Sequence, residues 1–146
     1  MKTRTFLTTA SALLALTLFT GCDNTTELTI QPVGDTMAYN LTQMEAKAGS
    51  KVTLTLKNVA TSPAMQHDWI LVQPGKDAEV STAAYAAGAA KDYIPESPLI
   101  IAHTKLTKPG ESDTITFTAP TTPGDYPYLC TFPGHYPMMK GVLKVN

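Results

Sequence analysis

Residues 128–146 read YLCTFPGHYPMMKGVLKVN. The stretch has two regular ends and an irregular middle. GDYPYLC (124–130) leads into it, and GVLKVN (141–146) alternates apolar and polar residues in the manner of a strand. The middle is a loop built from Pro, Gly and aromatic residues. It carries Cys130, His135 and Met139 at the spacing Cys-x4-His-x3-Met. A β framework with a chemically loaded loop is the first expectation.

The rest of the chain agrees with that framework. In KVTLTLKNV (51–59), Val52, Leu54 and Leu56 alternate with Thr and Lys, the pattern of a half-buried strand. HDWILVQPG (67–75) is a strand stopped by Pro74-Gly75, and PLIIAHTKL (98–106) is strand-like. ESDTITFTAP (111–120) alternates Ile115 and Phe117 with threonines, and residues 28–59 read as strands separated by turns. Residues 77–91 break the pattern. They are Ala-rich, start with Asp77 and end with Lys91, so they predict one helix whose last turn Gly88 weakens. The expected fold is all-β: an antiparallel Greek-key sandwich or barrel of about seven or eight strands with one short inserted helix.

Lys2 and Arg4 followed by an apolar run from Phe6 to Phe19 form a secretory signal pattern over residues 1–21. The run is too short for a confident membrane span. LFTGC (18–22) resembles the lipobox of bacterial lipoproteins, with Phe19 at the usual leucine place. That resemblance implies a lipid-carrying Cys22, a short linker over 22–26 and a folded domain over 27–146. It also implies an exported protein anchored at a membrane and facing the periplasm. Asp23, next to the Cys, resembles an inner-membrane retention signal. Without residues 1–21 the chain keeps 9 basic and 12 acidic residues, a net charge of −3. No basic patch points to nucleic acid.

The chain has two cysteines. If Cys22 is acylated, Cys130 has no partner within the chain, and an exported thiol then needs burial or a metal. A thiolate, an imidazole and a thioether in one loop suit copper cycling between its +1 and +2 states. A fourth ligand must come from elsewhere. His67 is the best candidate: it shares a strand face with Trp69 and Leu71, so it points inward if they do. Storage or delivery of copper is the competing reading, since methionines are plentiful and Cu(I) favours sulfur.

MQHDWILV (65–72), IAHTKLTKPGESDTITF (101–117) and YLCTFPGHYPMMKGVLKVN (128–146) resemble the azurin and auracyanin family of small blue copper proteins over nearly all of residues 27–146. The resemblance implies a cupredoxin fold and a one-electron carrier, not an enzyme, with no small-molecule substrate. Its partners would be redox proteins met transiently. It implies His67, Cys130 and His135 as equatorial copper ligands, with Met139 as the axial one. It places the Gln66 backbone carbonyl on the opposite side, where azurins have Gly. Asp68 stands where Asn is usual; ionised, it would stabilise the +2 ion and lower the potential. Thr131 would supply hydrogen bonding beside the Cys. Met37, Met65, Pro133, Tyr136, Pro137 and Met138 would ring the His135 edge as an apolar docking patch. The azurin disulfide has no counterpart here. Met138 competes with Met139 for the axial role, and the spacing favours Met139. His103 is expected on the surface, away from the metal.

Overall fold

The computed structural model describes residues 25–146, so the leader, Cys22 and Asp23 lie outside the described residues. Eight strands follow in order: β1 (Thr25–Ile30), β2 (Gln43–Ala46), β3 (Lys51–Lys57), β4 (Ile70–Val72), β5 (Ile100–His103), β6 (Ser112–Thr118), β7 (Gly124–Leu129) and β8 (Lys140–Val145). They form a three-stranded sheet, β1-β3-β6, and a five-stranded sheet, β2-β8-β7-β4-β5.

The expected alternation is realised. Val52, Leu54 and Leu56 are fully buried on β3, while Lys51 and Lys57 at its ends are exposed. The core between the sheets takes Ile30, Met44, Trp69, Leu71, Tyr128 and Leu143 among others. Each fully buried aliphatic side chain contributes about 1.5–3 kcal/mol. The intervening residues of β4 and β7 point the other way. Ile70, Val72 and Leu129 form a smaller cluster with Val80, covered by the helix α1 (Asp77–Ala87). β4, and β7 at its Leu129 end, are therefore apolar on both faces.

Two features depart from the sequence reading. The sandwich is not wholly antiparallel: β1 pairs with β3 and β2 with β8 in parallel. The chain alternates between sheets, so β2 lies in the opposite sheet from its sequence neighbours β1 and β3. Such a crossover leaves the two strands it joins running the same way. The helix also stops at Ala87. Gly88 takes φ +67°, which a helix cannot continue, and a short 3-10 turn covers Ala89–Lys91.

Gly141 shows why one position on β8 admits no side chain. It pairs with Tyr128, and a Cβ there would lie 2.3 Å from the Tyr128 ring and 2.5 Å from the Thr42 carbonyl. The ring lies across this gap so that its hydroxyl can donate to the Leu41 carbonyl at 2.7 Å.

Candidate metal centre

The site occupies one end of the sandwich, where three strands start or stop. Cys130 follows β7 directly and Met139 precedes β8 directly, so residues 130–139 form the link of the β7–β8 hairpin. The Cys130 amide donates to the Met139 carbonyl at 2.9 Å and closes the loop. Within it, the Met138 and Met139 amides both donate to the His135 carbonyl, at 3.1 and 2.9 Å. Gly134, at φ +85°, supplies the left-handed residue that lets the chain turn before His135. His67 sits just before β4 rather than within it, in an isolated antiparallel bridge with Thr107.

The expected ligands converge. Donor atoms of His67, Cys130 and His135 lie within 4.8 Å of one another. Cys130 Sγ is 3.9 Å from His67 Nδ1 and 3.6 Å from His135 Nδ1. A three-coordinate ion with bonds of about 2.0 Å to nitrogen and about 2.3 Å to sulfur would hold such atoms about 3.7 Å apart. The spacing therefore fits a metal ion. His67, Cys130 and Met139 are fully buried, and His135 is 4 % exposed. Met138 is 70 % exposed, which leaves Met139 as the thioether that faces inward. His103 is exposed at the end of β5, its ring against the neighbouring Thr104 carbonyl, and takes no part.

At the two histidines the electrostatics disfavour a proton. Burial, with the neighbouring His135 second, pushes His67 down to about 4. Burial also lowers His135. Both rings are thus neutral at pH 7, as ligation requires. Burial and the charge of Asp68 push the Cys130 thiol well above its ordinary value. His67 Nε2 has no hydrogen-bond partner among the described residues.

Asp68 is fully buried and joins the two ligand segments. Its carboxylate accepts the Thr131 amide at 2.7 Å and the Thr131 hydroxyl. Burial pushes it up to about 6, opposed chiefly by these two hydrogen bonds. The Thr131 amide and hydroxyl are thus both spent on Asp68.

Sequence reading missed three buried groups around His67. Tyr39 donates to the Asp68 carbonyl, Thr104 accepts the Trp69 amide at 2.9 Å, and the Thr107 hydroxyl donates to the His67 carbonyl at 2.7 Å. In sequence these look like ordinary strand-end polar residues. Only their partners, tens of residues away, reveal them.

Two imidazole nitrogens and one thiolate sulfur, all buried and closed off by a thioether, define a mononuclear copper site of the blue type. The sequence pattern of the copper-binding proteins of the plastocyanin/azurin family matches residues 26–146. Auracyanin-A of Chloroflexus aurantiacus is 42% identical over 116 residues, covering 77% of this chain and 70% of that one. Azurin of Achromobacter denitrificans is 42% identical over 126 residues, covering 82% and 84%. The solved structure of auracyanin A, described as a blue copper protein, superposes with a TM-score of 0.77 at 40% identity, over 84% of this chain and 99% of that one. The chain belongs to the plastocyanin/azurin family, and His67, Cys130, His135 and Met139 are its copper ligands.

Loading of the metal-free protein at pH 7 should release about one proton per copper, from Cys130, because both rings are already neutral. A pH-stat titration measures this. Release of two or more protons would contradict the neutral state of the two rings in the metal-free protein.

Proposed function

We propose that the protein is a one-electron carrier working outside the cytoplasm, passing electrons between redox proteins that it meets briefly. Copper supplies the couple, between its +1 and +2 states. The observation that carries the reading is the closed, buried donor set: three ligands have no exposure and the fourth has 4 %. A filled site leaves no open position for substrate, unlike a catalytic metal. It also argues against copper delivery, which needs an accessible ion. Ligands anchored on β7, β8 and the Thr107 bridge resist rearrangement when the charge changes.

His135 alone among the ligands reaches the surface, so it is the route for the electron. Pro133, Tyr136, Pro137 and Met138 share its loop, and Met37 is 37 % exposed. The loop bearing Met37 is held against the one bearing Met65. The Asp35 carboxylate accepts the Thr61 amide and hydroxyl, each at 2.6 Å, and the Ser62 amide at 2.9 Å. A small apolar patch of this kind suits brief redox encounters. Met65 also offers its carbonyl to Asn58 at 2.8 Å, which fixes the chain just before Gln66. The Gln66 carbonyl, next along the chain, is the group we place opposite Met139 by resemblance to the family. Lipidation of Cys22 would hold the carrier at a membrane, the inner one if Asp23 acts as a retention signal; mass spectrometry of the mature N-terminus decides between acylation and a free thiol.

Met138→Lys should slow electron exchange with a partner about tenfold while the sulfur-to-copper absorption stays intact. Unchanged stopped-flow kinetics would remove the docking patch. In the same preparation a chelator should strip copper slowly, over hours; stripping in seconds would favour storage or delivery. Asp68→Asn should raise the midpoint potential, because a negative charge that favours the +2 ion is removed. A unit charge near the metal, at an effective dielectric of about 20, is worth a few kcal/mol, so the rise is on the order of 100 mV at most. Voltammetry showing no change or a fall would sink the charge argument.

A further inference from the structure

Asn58 lies just past the end of β3 and is 2 % exposed. Among the described residues it makes no hydrogen bond to a copper ligand's side chain, yet both protons of its amide are committed. The Nδ2 group donates to the Met65 carbonyl at 2.8 Å and to the Thr107 carbonyl at 3.0 Å. Its Oδ1 accepts the Ala60 amide at 3.1 Å. Turning the amide over would set Oδ1 against two carbonyl oxygens, so the orientation is unambiguous. The backbone of Asn58 is equally held, donating to Glu111 at 2.9 Å and accepting from Gly110 at 2.8 Å.

The Thr107 carbonyl that Asn58 holds also accepts the His67 amide, at 3.1 Å. Thr107 in turn sends both its amide, at 2.8 Å, and its hydroxyl, at 2.7 Å, to the His67 carbonyl. Both backbone groups of the first ligand are thus consumed by one residue, and that residue is fixed by Asn58. The second Asn58 proton fixes residue 65. One NH2 group therefore brackets the Gln66 peptide from both sides.

We propose that Asn58 is a positioning residue of the copper centre, acting through Thr107 to set the placement of His67 and the Gln66 peptide. The inference rests on the copper reading above. It assigns the rigidity of the first ligand to a buried amide in the opposite sheet's strand end, rather than to β4. Removing such a partner commonly costs tenfold or more in metal affinity.

The test compares Asn58→Ala and Thr107→Val with Thr55→Ala. The last breaks only an outer-face hydroxyl pair, Thr55 to Thr114 at 2.9 Å, and serves as a stability control. In metal-free Asn58→Ala, hydrogen exchange at the His67 amide should speed about fivefold, the equivalent of one ordinary hydrogen bond. In the copper-loaded protein, release to a chelator should speed about tenfold or more. The ratio of the sulfur-to-copper absorption bands and the midpoint potential should both move. Thr107→Val keeps its shape and should move the same readouts in the same direction by less. Thr55→Ala should move none of them. If Asn58→Ala and Thr107→Val match Thr55→Ala in all these readouts, the proposal is overturned. Should Asn58→Ala fail to fold, Asn58→Asp, which keeps the shape but loses both donated protons, decides in its place. Exchange in the metal-free protein reads the clamp without copper, whereas a wild-type protein lacking the blue absorption would count against the copper reading only.

Discussion

The constraint on which the structure depends is a sulfur anion held inside an apolar core. Cys130 is fully buried beside a buried carboxylate, and both burial and that charge oppose its ionisation. A cation at Sγ is what makes the thiolate tolerable. Two neutral imidazoles must then arrive from different parts of the chain without adding charge of their own. Burial keeps both rings unprotonated, and the Asp68–Thr131 hydrogen bonds register one ligand segment against the other. The sandwich is the frame that brings these segments to one end.

Stiffness of the site follows from how β4 and β7 are covered. Their inner residues lie between the sheets, and Ile70, Val72 and Leu129 on the outer side lie under α1. The same helix reaches the ligand loop: Tyr136 donates to Asp77 at 2.9 Å, and Lys140 sits 4.8 Å over the Tyr136 ring. A segment packed on two faces and tied at its tip opens locally only at high free energy.

Much of this was legible in the residues. The alternation of Val52, Leu54 and Leu56 placed β3 correctly, because a two-residue period is a local property. The spacing of Cys130, His135 and Met139 exposed the metal loop, because one short loop supplies three ligands. Pairing partners are not local, and so the parallel ladders of β1 with β3 and β2 with β8 were not visible. The same limit hid Asn58 and Thr107. Their side chains are ordinary in type, and their importance lies in bonds spanning 49 and 40 residues. Met138 and Met139 are adjacent and identical in chemistry; the spacing favours Met139, and their exposure, 70 % against none, agrees with it.

The place of β8 has a consequence for the order of assembly. It follows the other strands along the chain, yet it lies inside the larger sheet, between β2 and β7. Until β8 inserts, β2 has no neighbour in that sheet, and Met139, at the base of the same strand, has no fixed position. A chain whose β8 has not yet docked therefore offers no finished copper cage. The same strand thus completes the larger sheet and sets the place of the fourth ligand.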